Sequence, residues 1–182
     1  MTNPERQLIQ QLIVLMGDDP HREGLKDTPD RVSRSWKEMF CGYDKRPESV
    51  LTSFAAGNYD EIVLVKNIEF YSTCEHHLLP FVGTAAIAYI PDGKIVGLSK
   101  LPRLLDIYAK RLQVQERITT QVTEALNEHL KPKASACVLS ARHLCMGCRG
   151  VRQADAITVT SSMTGAFRDN HPARMELMRL IG

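Results

Sequence analysis

Long apolar runs are missing from this 182-residue sequence, and no stretch approaches the roughly 20 residues a membrane-spanning helix needs. The opening "MTNPERQLIQ" has no basic region followed by an apolar core and a small-residue cleavage site. The expectation is a soluble, cytoplasmic protein with no membrane partner. A surplus of charge is missing as well. Lys and Arg total 23 against 21 Asp and Glu, and a net charge of +2 gives no broad electrostatic footprint for nucleic acid. Any anionic partner is therefore small and locally gripped. Several chemical signatures are also absent: no H-E-x-x-H zinc pattern, no Walker glycine-rich loop, no internal repeat and no low-complexity segment. The zinc-deaminase pattern, H-x-E with a later P-C-x-x-C, fails because Glu75 precedes the histidines and Leu144 precedes Cys145. Without a glycine-rich nest, phosphates would have to be held by side chains such as Lys100, Arg103 and Arg149.

Cysteine is scarce and odd in number: Cys41, Cys74, Cys137, Cys145 and Cys148. In a reducing compartment this suits metal or redox chemistry better than a disulfide framework. Cys41 and Cys137 stand apart from the histidines and read as core packing.

What is present has clear local periodicity. "PERQLIQQLIVLMG" sets Leu8, Ile9, Leu12, Ile13 and Met16 on one helical face, with Gly17 as a stop. "DTPDRVSRSWKEMFCGY" repeats Val32, Trp36, Met39 and Phe40 at helical spacing, with Thr28 as a cap and Pro29 at the first helical position. No period holds between about residues 43 and 60, and β-rich segments follow. "EIVLVKNIEFYS" reads as a strand; "FVGTAAIAYI", the Pro91-Asp92-Gly93 turn and "KIVGLS" read as a hairpin. Helical stretches over Leu101 to Leu112 and Val114 to Leu130 precede two more β-like segments, "ASACVLSARHL" and "DAITVTSSMTGAF", and "HPARMELMRLI" closes the chain as a helix. The order predicts an α+β fold: an antiparallel sheet with helices packed on one face, preceded by N-terminal helices. The division expected is an N-terminal helical segment over 1–45 and a single catalytic domain over 46–182.

The chemistry concentrates in two places. "STCEHHLLP" carries Cys74, Glu75, His76 and His77; "RHLCMGC" carries His143, Cys145 and Cys148. On an extended segment neighbours point to opposite faces, and positions three apart meet on a turn, so Cys74 chelates with His76 or with His77 but hardly with both. His143 and Cys145 share a face if their segment is extended. Two ligands from the first cluster and one or two from the second make a zinc site, since thiolate with imidazole selects zinc. Three ligands leave an open catalytic position; four close it. "CMGC", with Gly147 permitting a knuckle, favours a closed structural site, whereas surplus imidazoles at His76 and His143 favour a catalytic one.

Taken together, "STCEHHLLPF", "AYIPDGKIVGLSKLPRL", "QVQERIT" and the "HLCM" and "RGV" pieces resemble GTP cyclohydrolase I, in unbroken order from about Thr28 to Ile181. That resemblance implies the tunnelling fold (T-fold) and a reaction: GTP is hydrolysed at guanine C8, formate leaves, and the ribose carbons rearrange to give 7,8-dihydroneopterin triphosphate, the entry to tetrahydrofolate and other pterins. It further implies Zn2+ on Cys74, His77 and Cys145, with zinc-activated water attacking C8. His76 falls at the family's proton carrier and His143 at its second functional histidine. Glu116 matches the carboxylate that accepts the guanine N–H groups. Lys100, Arg103 and Arg149 match cations around the triphosphate, and Ser99 a hydroxyl near the ribose and phosphates. Arg31 and Arg34 align with basic residues contributed across a subunit boundary. A toroidal homodecamer of two pentamers, with active sites at subunit interfaces, is the implied assembly. The chain departs from the family pattern at Arg142, where an acidic residue is usual, at Cys148, where an apolar one is usual, and in "RQADAIT". A non-catalytic zinc-stabilised module on the same fold is the contrasting expectation; a nitrile reductase would lack the "CEHH" pattern.

Overall fold

The computed structural model describes residues 4–182, which divide into two compact units between Cys41 and Gly42. In the first unit, α1 (Pro4–Leu15) and α2 (Thr28–Met39) pack on each other, stitched by an Arg6–Asp30 ion pair. Gly17 adopts φ 91° just past the end of α1, a conformation that only glycine takes cheaply. The apolar face of α1 is narrower than its sequence period suggests. Ile9 and Ile13 are buried, while Leu8 and Met16 are exposed, because α1 has a single helical neighbour in its unit. Thr28 is not the cap of α2: the helix already includes it, and Asp27 holds the cap position without a side-chain cap bond, pairing instead with Arg31 at 3.6 Å.

The second unit is built on a five-stranded sheet in the order β5-β2-β3-β6-β7: β2 (Val63–Cys74), β3 (Pro80–Ile90), β5 (Leu112–Gln113), β6 (Ala134–His143) and β7 (Thr158–Gly165). All pairings are antiparallel except the short β2–β5 contact, where Thr73 faces Leu112 and Cys74 faces Gln113. Asn67, at φ 60°, sits in a bulge that shifts the β2–β3 register between Val65 and Ile68. The hairpin expected across Pro91–Gly93 is not formed. β4 (Lys94–Val96) pairs instead with β1 (Ser53–Ala55), because both edges of β3 are already taken, by β2 and by β6 as far as Ile90 opposite Ala134.

Alternation along the central strands supplies two apolar faces. Ile87 and Tyr89 of β3 and Cys137 and Leu139 of β6 join the main core with α3 (Lys100–Ala109) and α4 (Gln115–His129), through Leu101, Leu104, Leu105, Ile118, Val122 and Leu126. Ala88, Ala136 and Met163 point the other way, onto Phe167 of α6 (Ala166–Asp169) and Leu177 of α7 (His171–Ile181). α3 and α4 thus share one face, and the terminal pair α6 and α7 covers part of the opposite one. α3 ends three residues before Leu112, the expected limit, because Leu112–Gln113 is spent on β5. Burial pushes the Cys137 thiol well above its ordinary value, as befits a core thiol, whereas Cys41 is half-buried.

Candidate functional site

β2 and β3 meet in a tight turn made of the "EHHL" residues. Cys74 N–H donates to Leu79 O at 2.9 Å and Leu78 N–H returns to Cys74 O at 2.9 Å, closing the loop over Glu75–Leu78. Leu78 pays for this closure with φ 54°, a left-handed conformation unfavourable for a branched side chain. The turn folds both histidines back toward Cys74: its Sγ lies 3.9 Å from His76 Nδ1 and 3.8 Å from His77 Nδ1. The turn thus sets both rings near one sulfur, which by proximity alone does not make both of them ligands. The two rings differ in what else they meet. Cys74, His77 and Cys145 bring their ligating atoms within 4.8 Å of one another, and His76 is outside that group.

Cys145 arrives by a route the sequence did not suggest. β6 ends at His143, and Leu144–Gly147 form one helical turn, α5, so His143 and Cys145 are not on a common extended face. That turn carries Cys145 into the cluster, half-buried, and leaves Cys148 exposed and outside it. Burial, then the neighbouring Cys74 sulfur, hold the Cys145 thiol above its ordinary value, with Arg149 acting the other way. Two sulfurs that resist joint ionisation are a pair that a divalent cation stabilises. Two thiols and one imidazole in mutual reach are a donor set that fits zinc.

The surrounding polar groups form two further layers. Arg149 Nη1 lies 3.4 Å from His77 Nε2, at the outer edge of the cluster. Glu75 turns away from the sulfurs and takes a bidentate pair from Arg117, 2.5 and 2.9 Å, which holds its carboxyl below the ordinary range and ties the turn to α4. His143 stacks flat on Phe81, ring centroids 4.5 Å apart and 4° from parallel, and its Nε2 lies 2.8 Å from Gln115 Oε1. Burial keeps the His143 ring below its ordinary value, opposed by the charge of Glu116, which stands exposed in the first turn of α4. Sequence reasoning missed Gln115, Arg117 and Phe81. Gln115 and Arg117 lie inside the "QVQERIT" motif, but the partners that give them meaning come from the turn after β2, from β6 and from β7.

Other expected site residues belong to α3 and α2. Ser99, Lys100 and Arg103 gather at the N-terminal end of α3. The opposite end of α3 leads through Lys110 and Arg111 into β5, which lies beside Cys74, so roughly 15 Å of helix lies between the start of α3 and the end nearer β5. Among the described residues no hydrogen bond or ion pair joins the three to Cys74, His77 or Cys145. Arg31 and Arg34 are exposed on α2, in the first unit.

Known proteins give this geometry its context. The sequence pattern of the GTP cyclohydrolase I family matches residues 5–182. A GTP cyclohydrolase 1 from Thermobifida fusca is 54% identical over 175 residues, 95% of this chain and 84% of that one. One from Chlorobaculum tepidum is 50% identical over 96% of this chain and 78% of its own, and one from Mycobacterium tuberculosis is 49% identical over 95% and 87%. Among solved structures, an apo archaeosine synthase described as QueF-like overlays 58% of this chain and 94% of its own, at a TM-score of 0.48 and 14% identity, too remote to carry a functional reading. With a pattern that matches residues 5–182 and relatives of about half-identical sequence over 95% or more of this chain, the chain belongs to the GTP cyclohydrolase I family.

Proposed function

We propose that this enzyme hydrolyses GTP at C8 of guanine, releases formate and rearranges the product to 7,8-dihydroneopterin triphosphate, using Zn2+ held by Cys74, His77 and Cys145. The observation that carries the reading is the meeting of two thiols and one imidazole, with His76 beside Cys74 and no fourth Cys, His, Asp or Glu in the group among the described residues. What zinc supplies when bound there is Lewis acidity, enough to make water a nucleophile near neutral pH.

The chain's own residues do the rest. His76, exposed at the lip of the turn, carries a proton to the purine nitrogen as C8 becomes tetrahedral. His143, fixed by Phe81 and Gln115, is the second functional imidazole. Glu116 accepts the paired N–H groups of guanine, a pattern adenine does not present. Arg149 holds phosphate at the edge of the cluster. Ser99, Lys100 and Arg103, together with Arg31 and Arg34, complete the triphosphate site from neighbouring copies, a reading supported by the length of α3 between its start and the end nearer β5. The sheet supports assembly too: β7 has one neighbour, and β2 is covered on its outer edge only at Thr73–Cys74. A homodecameric ring that joins such edges is the assembly inferred. No helix among the described residues is long and apolar enough to cross a membrane, and a cytoplasmic location is inferred with it.

Incubation of purified, zinc-analysed protein with GTP tests the reading directly. Formate and the fluorescent pterin should appear together, and both should vanish on chelation and return with zinc. Protein that holds zinc but releases no formate would make the metal structural and overturn the catalytic reading.

A further inference from the structure

The Gln115 side chain is 99% inaccessible in effect, at 1% relative exposure, and has no apolar reason to be there. Its Nε2 lies 3.1 Å from Leu139 O, 3.0 Å from Thr158 O and 3.1 Å from Thr160 Oγ1, while Oε1 lies 2.8 Å from His143 Nε2. Two backbone carbonyls can only accept hydrogen bonds, so the amide nitrogen must face them. The reverse orientation would set Oε1 against two carbonyl oxygens in a buried place and take away the donor that faces them. The amide orientation is therefore dictated by β6 and β7, not by the histidine.

That fixes the histidine in turn. Oε1 only accepts, so the ring nitrogen facing it must carry hydrogen, whether the imidazole is neutral or protonated. We infer that Gln115 is a positioning residue that holds His143 with hydrogen on Nε2 and leaves Nδ1 as the nitrogen available to a bound substrate. Phe81 fixes the plane of the ring and Gln115 its rotation within that plane. Nδ1 makes no hydrogen bond to any described residue. Because the β6 and β7 carbonyls set the amide, the strand pair beneath α4 determines which atom of His143 is presented, through a side chain that itself touches no substrate.

The role of His143 in turnover rests on the function proposed above, so the test has one arm independent of it. In protein labelled with 15N-histidine, solid-state NMR distinguishes protonated from bare ring nitrogens, and the His143→Ala spectrum assigns the residue among the six histidines. The neutral ring is expected to carry hydrogen on Nε2, and Gln115→Met, similar in length but unable to bond, is expected to mix the two tautomers. A neutral His143 protonated on Nδ1 in the parent protein, or a tautomer unmoved by Gln115→Met, overturns the inference, and the parent spectrum decides even if the variant fails to fold. The second arm is turnover. Gln115→Met should lower kcat for GTP by roughly 10- to 100-fold, the scale typical of a supporting hydrogen bond, with bound zinc retained. In a His143→Ala background the same change should cost less than about twofold, since coupled residues are not additive. Equal losses in both backgrounds would mean that Gln115 only braces the fold. Absent turnover in the parent would count against the proposed function and leave the NMR arm to decide on Gln115.

Discussion

Glu116 and His76 are both exposed in a chain that does not need them for packing, which makes them the cleanest single residues to test. If Glu116 accepts guanine hydrogen bonds, Glu116→Ala leaves two donors of the bound base unpaired, and kcat/KM for GTP should fall by at least about tenfold. Zinc content and thermal midpoint should be those of the parent; unchanged GTP kinetics would remove Glu116 from the guanine site. His76 separates proton transfer from metal binding, because its Nδ1 is nearly as close to Cys74 as that of His77 but has no place in the three-residue cluster. His76→Ala is expected to keep about one zinc per chain and to slow ring opening by roughly a hundredfold or more, the usual scale for a positioned general acid. Zinc loss in that variant would exchange the roles assigned to the two histidines.

At the scale of elements, the turn α5 decides between an open and a closed metal site. Cys148 follows Cys145 by three positions on a helical turn, a spacing that can share a face, yet its side chain is exposed and stands outside the cluster. Cys148→Ala should therefore keep zinc affinity and turnover within about threefold, short of the 10- to 100-fold cost of losing even a supporting group, whereas Cys145→Ala should abolish both. The strand behind α5 has its own constraint at Gly83. A Cβ there would collide with Ser140 O and lie 2.6 Å from Ala141 Cα, both backbone atoms of β6 two or three positions before His143. Gly83→Ala should force β3 and β6 apart, lower the midpoint of thermal unfolding and cost turnover with it; a stable, fully active variant would show that this close approach is dispensable. These elements also mark how far the sequence could be read. β6, α4 and α7 were legible because alternation or helical period runs unbroken through them, and the two Cys/His clusters stood out by composition. The β1–β4 pairing was not, since nothing near Lys94 tells that β3 is already flanked on both sides. Nor was the turn at Leu78, which needs a positive φ that leucine does not advertise. Gln115 was invisible for a related reason: its meaning lies in carbonyls 24 and 43 positions away.

For the whole molecule, the question is whether one chain holds a complete site. Ser99 and Lys100 open α3 and Arg103 follows within its first turn, whereas the other end of the helix, roughly 15 Å from its start, leads into the strand beside Cys74. The open edges of β2 and β7, and exposed apolar residues such as Val159 and Ile157 in and beside β7, give copies of the chain a means to join. If triphosphate binding comes from one copy and the Cys/His cluster from another, two defects placed on different chains should complement. Cys145→Ala keeps the α3 cations but loses the cluster; Arg103→Ala keeps the cluster but loses a cation. Each variant alone should show little GTP turnover. Mixed subunits, dissociated in mild denaturant and reassembled together, should regain a clear fraction of parent activity, because some interfaces then pair an intact cluster with an intact α3. Sedimentation of the same samples should show species several times heavier than the 20.5 kDa chain. Reassembled mixtures that sediment as large particles but stay inactive would place both halves of the site in one chain, and a parent enzyme that is active while sedimenting as a single chain would do the same.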